Sequence, residues 1–188
     1  SCCGLVTAFA VESGLKINAT AGEALYTGML TDSGRFRYDS TNSRTFKLAS
    51  ELIDTGFDVN ELYRNLYSDN FESKLLKAKF TLKIQFTKNN VAYIYTTRDE
   101  MKELGSSEFS ISRGMVATMA DIKGTSIWVN FTETEEGILC ELRSNDQNIN
   151  PIAVKYGGGG HAFACGATVE SFELVEAILA DFDKLLEE

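Results

Sequence analysis

Between residues 70 and 95 the apolar residues of this chain change their period, and that change restricts the fold more than any other feature. Upstream they recur at the three- and four-residue spacing of helices buried on one face. Downstream, Leu82, Ile84 and Phe86 alternate with polar residues, and Val91, Tyr93 and Tyr95 do the same after Lys88-Asn89-Asn90. Two alternating runs joined by a short polar turn are a hairpin signature. A chain that is helical first and sheet-forming later reads as two pieces, and 188 residues suffice for one large domain or two small ones.

The spacing predicts four helices in the first piece. They cover about Leu5–Glu12 (stopped by Gly14), Thr20–Met29, Ser43–Thr55, and a segment opened by the Asp58/Glu61 capping box and running through Tyr67. A turn-rich break, Thr31-Asp32-Ser33-Gly34-Arg35, follows the second. Phe71–Lys79 reads as a helical connector. Beyond it the pattern predicts a helix over Ser107–Ala120, strands through Ile127–Phe131 and Ile138–Leu142, a short helix over Asn150–Tyr156 and a strand near Ala167–Val169. A final helix from Phe172 to Leu186 carries the stripe Leu174, Val175, Ile178, Leu179, Phe182. The expected organisation is therefore a helical part over residues 1–70, a connector over 71–80 and an α+β domain with its own mixed sheet over 81–188. The helical part reads as the tail of an α/β domain whose strands lie upstream of Ser1.

The net charge of −9 excludes a broad basic face that would hold nucleic acid through its phosphates alone. A nucleotide ligand would have to be small and held in a local pocket. The four cysteines, Cys2, Cys3, Cys140 and Cys165, form no CxxC pair and read as free thiols in a reducing compartment. No apolar run is long enough to span a bilayer and no signal peptide is visible, so a soluble cytoplasmic protein with no membrane partner is expected.

Three segments could carry chemistry. The strongest is Gly157-Gly158-Gly159-Gly160-His161. Each glycine in ordered structure costs about 0.5–1 kcal/mol relative to alanine, so such a run needs a reason. Glycines can aim successive peptide N–H groups at one anion and let a ligand approach the backbone, and His161, the only histidine, follows directly. The second is Leu142-Arg143-Ser144-Asn145, where period two puts Arg143 on the face opposite Leu142, at a strand end suited to a phosphate clamp. The ordinary alternative is a pair between Arg143 and a local acid such as Glu141. The third is Asp32, a metal ligand or simply an Asx-turn residue; no His/Asp/Glu cluster accompanies it.

Taken together, Ala24-Leu25-Tyr26-Thr27-Gly28-Met29-Leu30-Thr31-Asp32-Ser33-Gly34-Arg35-Phe36, Leu142-Arg143-Ser144 and Gly158-Gly159-Gly160-His161 resemble the motifs of the DHH phosphoesterases that carry a DHH-associated C-terminal domain. The resemblance extends over nearly the whole chain. It is nearest to the bacterial branch that degrades oligoribonucleotides and dephosphorylates adenosine 3′,5′-bisphosphate, with cyclic-dinucleotide phosphodiesterases as relatives. It implies an α/β fold, residues 1–70 as the end of the catalytic domain and 81–188 as a smaller substrate-binding domain. It also implies a two-manganese centre with Asp32 as one ligand, a terminal phosphate on Arg143 and Ser144, and the nucleotide on Gly158, Gly159, Gly160 and His161. The expected partner is a nucleotide or short single-stranded RNA, and a homodimer stays open. The Asp-His-His triplet that names the family is expected upstream of Ser1, so this chain alone should have little or no activity. A non-catalytic nucleotide or single-stranded nucleic-acid binding module is the alternative.

Overall fold

The computed structural model describes every residue except Asp39, Ser106 and Glu188. The chain divides into two units, Ser1–Asp69 and Asn70–Glu188. The first holds α1 (Cys2–Glu12), α2 (Ala19–Asp32), α3 (Ser43–Ile53) and α4 (Val59–Tyr67). Polar side chains start these helices by accepting from backbone N–H groups that no helical carbonyl reaches. Asn18 takes Ala21, Asn42 takes Arg44 and Thr45 in a capping box, and Asp58 takes Glu61. The apolar faces meet in a core of Tyr26, Met29, Leu30, Ala49, Leu52, Phe57 and Leu62.

The second unit runs α5 (Phe71–Leu82), β1 (Gln85–Phe86), β2 (Ala92–Thr96), α6 (Arg98–Leu104), α7 (Glu108–Val116) with a 3-10 turn over Ala117–Met119, and β3 (Ile127–Glu133). It continues through β4 (Ile138–Ser144), α8 (Asn150–Lys155), β5 (Gly159–His161), β6 (Ala164–Val169) and α9 (Phe172–Leu185). The strands form one mixed sheet in the order β1-β2-β3-β4-β6-β5. Only β2 and β3 are parallel among the described pairings, and α6 and α7 supply the crossover that parallel neighbours require.

Alternation sorts the sheet's side chains into two faces. Val129, Phe131, Cys140, Leu142, Cys165 and Val169 turn to α8 and α9, where they pack with Ile149, Ala153, Val175, Ile178 and Phe182. Ala92, Ile94 and Trp128 turn the other way and are covered by Phe80 of α5 and by Ile111, Met115 and Val116 of α7. Over β4, β6 and β5 that second face is partly open: Glu141, Arg143 and Gly166 are half-buried, and Ala164 and His161 are exposed. No helix among the described residues is long and apolar enough to cross a membrane.

Three local expectations change. Leu82 ends α5 and does not open a strand, so β1 is two residues long. The second half of the glycine run is a strand, β5, paired across a tight turn with β6, which begins at Ala164 and not near Ala167. Residues 98–104 form α6, started by Thr97 and Glu100 in a capping box.

Asn130, fully buried on β3, fixes α7 to the sheet. Its side-chain amide donates to the carbonyls of Ile111 and Ser112, both at 2.7 Å. Replacing Asn130 by leucine removes both of these bonds and is expected to destabilise this unit by about 1–3 kcal/mol. The single tryptophan, Trp128, lies in the same strand, so its fluorescence in a urea titration reports this unit alone. An unshifted midpoint would show that the bonds contribute nothing.

Candidate functional site

The sheet register brings Arg143 and His161 together. Arg143 of β4 and His161 of β5 both pair with Ala164 of β6, so the three form one row on one face. The two candidate residues stand two strand spacings apart, about 10 Å. In the neighbouring row Glu141, Gly166 and Gly159 face the same way. The result is an open patch with a guanidinium at one side, an imidazole at the other, and a floor of alanine and glycine low enough for a ligand to lie against the backbone.

Arg143 is held from beneath. Its Nη1 donates to the carbonyls of Leu142 (2.8 Å) and Cys165 (3.2 Å), and its Nη2 to Glu141 Oε2 (2.9 Å). A guanidinium has five N–H donors, so part of the fork remains available to an anion. The pairing with Glu141, the ordinary alternative on sequence grounds, is thus present without consuming the group. Glu141 also accepts from Arg113 Nε of α7 at 3.0 Å. Arg113 has no motif in the sequence to mark it; only the packing of α7 beside β4 places it here.

Ser144 lies elsewhere. It follows Arg143 by one residue and points to the other face, 6% exposed. Its hydroxyl accepts from the backbone N–H of Asp146 (3.2 Å) and Gln147 (2.8 Å), which folds the loop after β4. It shapes the strand end that presents Arg143.

The glycines divide by role. The N–H groups of Gly157 and Gly158 donate to Val154 (3.0 Å) and Ala153 (2.9 Å), closing α8. They are therefore not presented to an anion, contrary to the sequence-based expectation of a four-amide cradle. Gly158 sits so close to β6 that a Cβ would fall 2.1 Å from the Gly166 carbonyl oxygen. Gly160 has φ of 141°, and a Cβ there would fall 2.5 Å from the Ala164 carbonyl oxygen. A Cβ would meet nothing within 4 Å at Gly157 or Gly159, and of these two only Gly159 lacks a left-handed φ. Asn150 secures the strand by donating to the Gly160 carbonyl at 2.8 Å. Two thiols lie beneath: burial, then the charge of Glu141, pushes Cys140 up to about 12. Burial also raises Cys165 despite the Asn150 hydrogen bond and the Arg143 charge. Both are poor nucleophiles.

Asp32 belongs to the first unit, as the last residue of α2 and not part of a following turn. Its carboxylate is 64% exposed and 3.5 Å from the Ser1 nitrogen. It lines a cavity of about 280 Å³ with Ser33, Asn42 and Arg44. After it the backbone makes a left-handed turn through Gly34, Arg35 and Phe36, with φ of 56°, 65° and 61°. The two non-glycine residues are strained by roughly 1–2 kcal/mol each. The Ser33 hydroxyl, accepting from Phe36 N–H at 2.9 Å, holds this turn. Among the described residues no three His, Cys, Asp or Glu side chains gather as metal ligands, so the donors present do not fit a two-metal centre.

Residues 90–188 match the DHHA1 domain. The chain is 34% identical to the bifunctional oligoribonuclease and PAP phosphatase NrnA of Bacillus subtilis, over 94% of this chain and 56% of that protein. It is 33% identical to the probable counterpart of Streptococcus mutans, over 97% of this chain and 59% of that one. A crystal structure of an exopolyphosphatase-related protein from Bacteroides fragilis superposes with a TM-score of 0.89 at 28% identity, covering all of this chain and 58% of that one. The chain thus spans somewhat over half the length of these relatives. It belongs to the family of DHH phosphoesterases that carry a DHHA1 domain, and residues 90–188 are that domain.

Proposed function

We infer that this chain holds the substrate for a cytoplasmic phosphoesterase that hydrolyses short oligoribonucleotides, nucleotide phosphates such as adenosine 3′,5′-bisphosphate, or both. The observation that carries the reading is the row Arg143–Ala164–His161 on the open face of the sheet. Arg143 clamps a terminal phosphate through its free N–H groups, and His161 contacts the nucleotide from the opposite edge. Gly159 and Gly166 let the sugar and base lie close to the backbone, and Ser144 fixes the strand end. Such a patch, on a chain of net charge −9, selects a short ligand over a long duplex. The names of the Bacillus and Streptococcus relatives support this substrate class.

Residues 1–70 are proposed as the end of a catalytic domain, with Asp32 as one ligand of a manganese site. One carboxylate cannot hold a catalytic pair of ions, so hydrolysis is not assigned to this chain by itself. The same patch would also serve a non-catalytic nucleotide-binding module.

Calorimetric titration with adenosine 3′,5′-bisphosphate tests the reading. His161→Ala is expected to weaken binding roughly tenfold, the loss of a hydrogen bond to a charged group. Absence of binding, or indifference to that substitution, overturns it. Manganese-stimulated phosphate release by this chain alone would contradict the restriction on catalysis.

A further inference from the structure

Helix α7 turns two large side chains outward, Phe109 and Arg113, four residues apart and so on one helix face. Phe109 is 67% exposed, and among the described residues it belongs to none of the buried clusters. The Arg113 guanidinium carbon lies 5.5 Å from its ring centroid. Arg113 Nε donates to Glu141 Oε1 at 3.0 Å, and the other oxygen of that carboxylate accepts from Arg143 Nη2 at 2.9 Å. One carboxylate, 12% exposed, therefore holds two arginines side by side.

Two positive charges against one negative leave a cationic surplus at this spot of an acidic chain. An uncovered aromatic ring beside a guanidinium, continuous with a phosphate clamp, is the combination that single-stranded nucleic acid uses. The base stacks on the ring, and the phosphate meets the cation. A purely structural ion pair would explain Arg113 but not the exposed ring next to it.

Resting on the nucleotide-binding reading above, we propose that Phe109 and Arg113 form a second subsite for the next nucleotide of a short single-stranded oligoribonucleotide. The second base stacks on Phe109 and the linking phosphate meets Arg113, while Arg143 keeps the first phosphate. Glu141 is the positioning residue that keeps the two guanidinium groups side by side.

The test compares adenosine 5′-monophosphate with the dinucleotide pApA, each titrated calorimetrically into the full chain. The unmodified chain is expected to bind pApA the more tightly. Phe109→Ala and Arg113→Ala should each weaken pApA by roughly fivefold or more while changing adenosine 5′-monophosphate less than about twofold. Arg143→Ala should weaken both. Arg113→Lys, which keeps the charge but not the planar fork, should fall between. Trp128 fluorescence checks that each variant is folded. Equal affinity for the two probes, or equal loss of both in the Phe109 and Arg113 variants, overturns the subsite and leaves the Arg143 site standing. Failure of the unmodified chain to bind either probe overturns both.

Discussion

Replacing Arg143 by alanine is expected to weaken adenosine 3′,5′-bisphosphate binding about 10- to 100-fold, the equivalent of one or two charge-assisted hydrogen bonds. The size follows from how the group is built in. Leu142 and Cys165 carbonyls and the Glu141 carboxylate fix the guanidinium before any ligand arrives, so little rotamer freedom is lost on binding. Arg143→Lys keeps the charge but cannot satisfy those three acceptors and present a fork as well. It should recover only part of the affinity. The substitution leaves Glu141 with Arg113, so the fold should hold. Calorimetry on both variants decides the matter: unchanged affinity in Arg143→Ala would remove the phosphate from this position.

The second large effect separates neighbouring glycines. Gly158→Ala places a methyl group 2.1 Å from the Gly166 carbonyl oxygen and 2.6 Å from the Ala167 Cβ. Both belong to β6, in the sheet, where neither can retreat. The expected loss is about 3 kcal/mol, at the upper end for overpacking, and β5 with His161 should leave the sheet edge. Gly159→Ala meets nothing within 4 Å and has no left-handed backbone, so stability should stay within about 0.5 kcal/mol. Its new methyl group projects from the open face, where it should obstruct the nucleotide. Urea unfolding and ligand titration on the pair separate them: one variant loses stability, the other only the ligand. A destabilised Gly159→Ala, or a stable Gly158→Ala, would contradict the packing described.

Elements whose signal is local were legible in the sequence. The stripe of α9 and the alternation of β3 and β4 are such signals, as is the cap Asp58. Helix α6 was not read, because the neighbouring apolar alternation masked its cap, Thr97 with Glu100. The hairpin of β5 and β6 was not, because Gly159, Gly160, Ala164, Gly166 and Ala167 leave its strands no hydrophobic period to read. The parallel pairing of β2 with β3 joins residues more than thirty apart and is set by tertiary packing. The candidate site followed the same division. Arg143 and His161 stood out by residue type and position, whereas their shared row depends on a register that no local pattern encodes. Arg113 is visible only once α7 is seen to lie along β4.

Asp183 of α9 is buried and accepts from the Thr87 hydroxyl and the Asn89 backbone N–H, and Asn89 in turn donates to its carbonyl. The turn between β1 and β2 is therefore finished by residues made almost a hundred positions later. During synthesis the helices of the first unit can close over their own neighbours as they emerge, but the sheet must wait for α9 to roof it. Until then the face of Val129, Phe131 and Leu142 lacks the cover that Val175, Ile178 and Phe182 give it, so the last helix made is the one that closes this core.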